Sequence, residues 1–171
     1  MIETANFKLR FWNENDLNSL VKYANNPLIA YNLTDKFPYP YTVENGKAFI
    51  AFASQHDTHH IFAIEINGEA CGGIGIHPQD DIQRLNAELG YWLAEPFWGR
   101  SIISNAIPLV VDFAFTNLPI TRIFARPFAR NIASQKVLEK NGFVLEAKIE
   151  KSLIKNGVLE DELIYAIRKN N

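Results

Sequence analysis

A glycine followed by an arginine stands between an apolar run and a helix-like run in the middle of the chain. The segment is YWLAEPFWGRSIISNA at 91–106, and its turn carries Gly99 and Arg100. Backbone N–H groups at such a strand–turn–helix junction have no intrahelical partner, and the helix dipole adds partial positive charge there. The junction is therefore suited to bind a phosphate or pyrophosphate, and Arg100 adds a cation that could partner it.

A second polar signature, NIASQKVLEKNGF, follows downstream at 131–143. It predicts a short helix, with Asn131 as its N-cap and Gly142 as its C′ residue. Ligands of open mixed sheets tend to bind beyond the carboxyl ends of the parallel strands. We therefore expect the turn at 94–101 and the turn at 127–131 to be neighbours in space.

The elements that must position these signatures are hairpins and crossover helices. Two Asn-Gly pairs, Asn67-Gly68 and Asn156-Gly157, each separate two apolar runs, which is the strongest short-range signal for a hairpin. Thr42 is the expected N-cap of a helix, Pro27 should stop one helix, and Pro108 should kink another or delay its start. The predicted strands cover 7–11, 60–66, 69–77, 85–93, 121–127 and both arms of the terminal hairpin, and the predicted helices cover 14–25, the segment after Thr42, 101–116 and 132–140.

The order of these elements, β-α-α-β-β-β-α-β-α-β-β, predicts a mixed sheet covered by helices, an α/β or α+β fold in one domain over 1–171. The net charge of −2 gives no reason to expect nucleic acid or an acidic membrane surface as a partner. No apolar run approaches the roughly 20 residues that span a bilayer. The only cysteine, Cys71, excludes an internal disulfide and fits a reducing cytoplasm.

The whole chain resembles the GCN5-related N-acetyltransferase (GNAT) superfamily, in particular its branch of ribosomal-protein N-terminal acetyltransferases. The matching segments are FPYPYTVENGKAFI at 37–50, ELGYWLAEPFWGRSI at 88–102 and NIASQKVLEKNGF at 131–143. The resemblance implies a central mixed sheet of about seven strands, with helices on both faces and with splayed fourth and fifth strands. It also implies that acetyl-CoA is the cosubstrate and lies between those two strands.

The resemblance assigns parts of the coenzyme to particular residues of this chain. The pantetheine arm would pair with the backbone near Leu93 and hydrogen-bond with Asn131; the alternative is that Asn131 is a plain helix cap without a ligand. The pyrophosphate would lie on the backbone of the turn formed by Phe97, Trp98, Gly99, Arg100, Ser101 and Ile102.

Two positions depart from the family pattern. The family's turn usually reads Gly-x-Gly or Gly-x-Ala, whereas this chain has Gly99-Arg100-Ser101. Because serine is small, we expect weakened rather than abolished coenzyme binding. Asn105 occupies a position where many relatives carry glutamate, and nothing in the sequence explains that change.

Acetyl transfer needs a neutral amine, although an α-amino group has a pKa near 8. Glu88 lies on the predicted strand 85–93, where relatives often place an acidic residue against the incoming amine. It is the candidate general base, acting directly or through a water, and the alternative is a solvated glutamate on a half-exposed strand. A backbone N–H near Leu93 is the candidate donor to the oxyanion.

The departing coenzyme thiolate could receive a proton from Ser134, as proposed for its match in the ribosomal-protein branch. The alternative is that Ser134 only bonds the first turn of its helix. Many family members use a tyrosine four residues later, where this chain has Leu138. Tyr91 and Tyr165 stay open as other acids, although packed aromatic residues are the more common role for tyrosines in strands.

An aromatic segment supplies the expected acceptor side, with Tyr31, Phe37, Tyr39 and Tyr41, of which some must pack in the core. The acceptor is then a primary amine, either a protein N-terminus or a small amine such as a polyamine, an amino acid or an antibiotic. The rival from another class is a non-catalytic acyl-CoA-binding module. The sequence is compatible with a homodimer as well as with a monomer.

Three further features are expected to be structural. His56, His59, His60 and His77 lack metal-ligand spacing, so no metal is expected. Cys71 reads as a small buried residue rather than a nucleophile. The GGIG run at 72–75 lies inside a hairpin strand, which favours a bulge or close packing over a nucleotide loop.

Overall fold

The computed structural model describes residues 1–55 and 60–169. Within these residues the strands form one eight-stranded sheet in the order β1-β2-β3-β4-β5-β6-β8-β7. The strands are β1 Ile2–Glu3, β2 Lys8–Phe11, β3 Ile61–Ile66, β4 Glu69–Pro78, β5 Asn86–Leu93, β6 Arg122–Ala125, β7 Val144–Lys155 and β8 Val158–Arg168. The helices are α1 Leu17–Ala24, α2 Pro27–Tyr31, α3 Val43–Ala53, α4 Ile102–Asn117 and α5 Ile132–Lys140.

The sheet is mixed, as the sequence predicts. Strand β5 runs parallel to β6, in a register from Asn86↔Arg122 to Glu88↔Phe124. Strand β6 ends at Ala125, whereas β5 continues to Leu93, so the last residues of β5 extend beyond the parallel partner. The predicted seven strands become eight, since the two-residue strand β1 pairs antiparallel with β2. That strand is too short to leave an alternating pattern in the sequence.

Both Asn-Gly hairpins are confirmed. Asn67 and Gly68 have φ angles of 53° and 83°, and Asn156 and Gly157 have φ angles of 51° and 78°. Positive φ at both central residues is the geometry of the type I′ turn, which matches the twist of the flanking strands. The two turns therefore set the registers of β3 with β4 and of β7 with β8.

The predicted helix starts at Thr42 and Asn131 are also confirmed. The Thr42 side chain accepts from the backbone N–H of Asn45, whose own side chain accepts from the Thr42 backbone, a complete capping box. The Asn131 side chain accepts from the backbone N–H of Ser134 at 3.2 Å. Gly142 follows the other end of α5 with a φ of 80°, as expected of a C′ residue.

The two prolines that the sequence singled out differ in outcome. Helix α1 ends at Ala24, before Pro27 as predicted. Pro27 itself is the first residue of α2, a helix that was not predicted, and Asn26 caps that helix by accepting from the backbone N–H of Leu28 at 2.8 Å. Proline suits this position because its missing N–H would lack an intrahelical partner anyway. Pro108 does not delay α4, which begins at Ile102 and contains it, and a kink there stays a prediction.

The chain divides into two compact units, one formed by Met1–Gly75 with Tyr91–Ala106 and the other by Ile76–Gly90 with Ile107–Asn171. The first unit has an apolar core that includes Leu20 of α1 and Ile50 of α3, together with Trp12, which follows β2, and Tyr41, which precedes α3. The second unit buries residues of α5, β6 and β8, including Ile123, Leu138 and Tyr165. A single domain over 1–171 stays a prediction.

Candidate functional site

In the first unit, the segment after β5 forms the predicted turn. A 3-10 turn over Glu95–Phe97 leads to Gly99 at φ +73° and Ser101 at φ +58°, and α4 begins at the next residue. Trp98 donates from Nε1 to the carbonyl of Leu93 at 2.7 Å, which ties the turn to the end of its strand. The first N–H groups of α4 lack intrahelical acceptors by geometry, so they are available to an anion.

The cation of this turn is Arg100. Its guanidinium carbon lies 5.3 Å from the centre of the Phe97 ring, within the range of a cation–π contact. The residue is exposed, as are Gly99 and Ser101. A phosphate approaching this surface would therefore meet backbone donors and one positive side chain without first displacing a packed group.

The left-handed backbone of the turn shows what the departure at Ser101 costs. Both Gly99 and Ser101 have positive φ, a region that glycine enters freely and that costs an L-residue steric strain. A Cβ at Gly99 would meet nothing within 4 Å, so the requirement for glycine there is conformational rather than steric. Ser101 accepts the same conformation with a Cβ, and its small side chain makes that tolerable.

Sequence reasoning missed what anchors this turn within the first unit. Asn26 donates from Nδ2 to Glu95 Oε2 at 2.7 Å, and the Tyr23 ring packs edge-on against Phe97 with 6.0 Å between centroids. Tyr23 and Asn26 lie in and directly after α1, far from Glu95 in sequence. No local pattern joins these residues, so only the folded chain reveals the contact.

The GGIG run is a site of close packing, as predicted. A Cβ at Gly72 would lie 2.6 Å from the carbonyl oxygen of Trp92, and a Cβ at Gly73 would lie 2.8 Å from Trp92 Nε1. The β3–β4 register shifts opposite Cys71, which is buried and free. Burial raises the pKa of the Cys71 thiol, which disfavours a nucleophilic role.

The aromatic segment separates into core and surface residues. Phe37 packs against both Tyr41 and Trp92, at 5.1 and 5.5 Å between ring centroids. Tyr41 is buried in the core of the first unit, and desolvation raises its pKa to about 12. Tyr31 and Tyr39 are exposed, at 44% and 54%. The surface tyrosines and Phe37 thus stay candidates for the acceptor side, while Tyr41 is a packing residue.

In the second unit, Glu88 lies on β5 directly opposite Phe124 of β6 and is half-buried. Its pKa is raised mainly by desolvation; Arg126 lowers the pKa and Glu162 raises it. A raised pKa makes a carboxylate a stronger base than an ordinary glutamate. The role of Glu88 as general base stays a prediction.

Glu162 is a buried carboxylate that sequence reasoning did not single out. It is 5% exposed and accepts a hydrogen bond from Arg126 Nε at 2.6 Å. Burial along β8 does not alternate, since Glu162 and Leu163 are adjacent and both buried, so no pattern in the sequence marks Glu162.

Asn131 and Ser134 are joined at the start of α5, where the Asn131 side chain is the cap described above. Ser134 is half-buried and contributes its backbone N–H to that cap. Tyr165, one of the alternative acids, donates its hydroxyl hydrogen to Glu139 Oε1 at 2.8 Å, and desolvation raises its pKa to about 12. That hydroxyl is therefore already engaged within the second unit, and Ser134 stays a predicted donor.

The described histidines lie in no cluster of metal ligands. Among residues 1–55 and 60–169, no group of three or more His, Cys, Asp or Glu side chains is arranged to hold a metal ion. His56 and His59 lie outside the described residues. His77 Nε2 lies 3.6 Å from where a Cβ of Gly90 would stand, on the strand that carries Glu88.

Residues 6–144 match the family model of the acetyltransferase (GNAT) domain, which covers most of the chain. The chain therefore belongs to the GNAT acetyltransferase family, as its sequence resemblance implied. Within the parts of the chain that the structure describes, no helix is long and apolar enough to cross a membrane.

The chain spans about half the length of the curated relatives that it matches. The chain is 35% identical over 103 residues to YdaF of Bacillus subtilis (strain 168), which carries the provisional name of ribosomal N-acetyltransferase, and covers 56% of it. It is 32% identical over 95 residues to the ribosomal-protein-serine acetyltransferase of Escherichia coli (strain K12), covering 53% of that protein. These matches span 60% and 54% of this chain.

A solved structure shares the fold over almost the whole chain. It is RimL, an α-N-protein acetyltransferase of ribosomal L7/L12, in complex with coenzyme A. The two superpose with a TM-score of 0.86 over 96% of this chain and 95% of RimL, at 23% sequence identity. This likeness establishes the GNAT fold of the mixed sheet and its helices.

Proposed function

We propose that this protein is an acetyl-CoA-dependent N-acetyltransferase that acetylates a primary amine, with a protein N-terminus as the leading acceptor. The observation that carries the proposal is the half-buried Glu88 carboxyl with its raised pKa, on a strand that the chain continues into the left-handed turn at Gly99 and Ser101. Acyl transfer from a phosphorylated coenzyme requires a base for the amine and donors for the phosphates, and Glu88 and the turn are candidates for these two roles.

The coenzyme would be held by residues of the first unit at its pyrophosphate. The N–H groups from Phe97 to Ile102 and the Arg100 side chain are the donors, and the backbone near Leu93 is the partner for the pantetheine arm. In the second unit, Asn131 is the candidate for a further hydrogen bond to that arm. The Asn131 oxygen already caps α5, so its amide group is the part available to the coenzyme.

The chemistry is a direct transfer with no covalent enzyme intermediate. The acceptor nitrogen attacks the thioester carbonyl carbon, and Glu88 takes the proton that leaves the nitrogen, directly or through a water. The carbon–sulfur bond then breaks, and the thiolate leaves with a proton from Ser134 or from solvent. A thiol pKa near 8.5 makes this leaving group tolerable without strong acid assistance.

The protein N-terminus is favoured as acceptor because the relatives named above act on ribosomal proteins. A small amine is the alternative, favoured by the exposed Tyr31 and Tyr39, which could enclose an amphipathic molecule. A non-catalytic acyl-CoA-binding module is the remaining rival, favoured by the strained Ser101. The cytoplasm is the proposed compartment, in keeping with a single buried thiol.

Isothermal titration calorimetry with acetyl-CoA tests the proposal first. We expect binding in the micromolar range, and an absence of heat at high micromolar coenzyme would overturn the enzyme function. Thiol release with N-terminal peptides, polyamines and free amino acids then identifies the acceptor. Coenzyme binding without thiol release from any acceptor would favour the binding module.

The role of Glu88 is tested by Glu88→Gln in the same assay. Turnover should fall and recover in part at higher pH, where more of the amine is neutral without a base. Glu150→Gln is the matched control, because Glu150 is exposed on β7 and its loss should leave turnover unchanged. Unchanged activity of Glu88→Gln across the pH range would contradict the assignment.

A further inference from the structure

Three charged residues of the second unit lie around the end of β6. Glu88 lies opposite Phe124 of β6, and Arg126 comes directly after the last residue of that strand. The antiparallel register of β6 with β8, which pairs Phe124 with Ala166, continues to the bridge between Phe128 and Glu162, so Phe124 and Glu162 belong to the same face. Arg126 Nε lies 2.6 Å from Glu162 Oε1.

The ion pair is unusual in its burial. The Glu162 side chain is 6% exposed, whereas that of Arg126 is 43% exposed. A buried carboxylate costs desolvation energy, and such a pair is often no more stabilising than apolar residues of the same size. Stability alone therefore gives a weak reason for Glu162, and its position near Glu88 gives a stronger one.

We propose that Arg126 and Glu162 are positioning residues that hold Glu88 in the charge state the acyl transfer needs. The inference rests on the proposed function of Glu88 as the base. Two carboxylates and one guanidinium share the site, so the guanidinium decides how readily both carboxylates stay ionised together. Removing either partner of the ion pair therefore changes the proton affinity of Glu88, in opposite directions.

Other charged groups around Glu88 must be separated from this effect. Arg122 lies earlier on β6, with its guanidinium 4.9 Å from the centre of the Phe124 ring, and it donates to Asn86 at 3.0 Å. His77 of β4 lies beside Gly90, and a histidine side chain ordinarily titrates near neutral pH. Every protein compared should therefore also carry His77→Gln, so that a histidine titration is not mistaken for that of Glu88.

The experiment follows the Glu88 carboxyl by carbon-detected NMR during a pH titration of the protein without substrates. Arg126→Gln should move the Glu88 titration to higher pH, because the cation that lowers its pKa is gone. Glu162→Gln should move it to lower pH, because the like charge is gone. Arg126→Lys should restore most of the normal titration.

Arg130→Gln is the matched control, since it removes the neighbouring Arg130–Glu160 ion pair, whose Nε and Oε1 atoms lie 2.7 Å apart. It should leave the Glu88 titration in place. In acetyl transfer under mildly acidic conditions, Arg126→Gln should lower kcat, because more of the Glu88 carboxyl stays protonated once the cation is gone. If Arg126→Gln does not fold with Glu162 left uncompensated, the double variant Arg126→Gln/Glu162→Gln removes both charges. Its Glu88 carboxyl should titrate at higher pH than in Glu162→Gln alone, and an unchanged or lower titration would overturn the inference.

Titrations that move in the same direction in both single variants, or in neither, would overturn the inference. A Glu88→Gln variant with normal acetyl transfer would instead overturn the proposed function on which it rests, whatever the titrations show. The NMR measurement needs no acceptor and no coenzyme, so these two failures are distinguishable.

Discussion

Ser101→Gly should stabilise the protein, although it removes atoms. Ser101 has a φ of +58°, where an L-residue pays about 1–2 kcal/mol relative to a right-handed conformation. Glycine removes that strain, but it also lowers stability by about 0.5–1 kcal/mol, because the unfolded chain gains conformational freedom that is lost on folding. The net gain is therefore between about zero and 1.5 kcal/mol in the free energy of unfolding, with a centre near 0.7 kcal/mol.

Urea unfolding measures this change, and thermal unfolding should show a rise in Tm of about 1–3 °C for a chain of this size. Gly99→Ala is the matched variant of opposite sign. Its φ is +73° and a Cβ there meets nothing within 4 Å, so backbone strain alone should destabilise the protein by up to about 1.5 kcal/mol.

Ser101→Gly should also tighten acetyl-CoA binding in calorimetry, because the backbone of the turn can approach a pyrophosphate more closely without the Cβ. A loss of more than about 0.5 kcal/mol on Ser101→Gly would refute the reasoning. It would mean that the serine side chain makes a contact worth more than the strain of its backbone.

Three other substitutions test the site and its support. Glu88→Gln should stabilise the protein more at pH 7 than at pH 4. The pKa of Glu88 is raised in the folded protein, so the carboxyl contributes stability at low pH that is lost as the pH rises through that pKa. Equal effects in urea unfolding at both pH values would contradict this. Gly72→Ala should cost about 2–3 kcal/mol in urea unfolding, since its Cβ would lie 2.6 Å from a backbone oxygen that cannot move aside easily, and a loss below about 0.5 kcal/mol would show that the strands can separate there. Ser134→Ala should lower turnover more than tenfold, because it removes the proposed proton donor. It should leave Tm unchanged, because the cap of α5 uses the Ser134 backbone N–H. A loss of turnover of only a few-fold would assign Ser134 to capping alone.

The elements predicted best are those whose signals are local. Asn67-Gly68 specifies a hairpin because two adjacent residues must take positive φ, and Asn131 specifies a helix start because its side chain reaches only three residues ahead. Helix α2 was missed because a proline that follows the end of one helix can also begin the next, and here the cap at Asn26 starts a new helix at Pro27.

The sequence by itself determined the mixed sheet, the hairpins and caps, the family, and the positions of the turn and of Glu88. Only the tertiary structure decided what surrounds Glu88, since Arg126 and Glu162 are 36 residues apart and no periodic pattern links them. It also decided that Tyr41 is buried while Tyr31 and Tyr39 face solvent. The physical reason is that burial and electrostatics depend on which distant segments pack together, whereas turns and caps depend on neighbours along the chain.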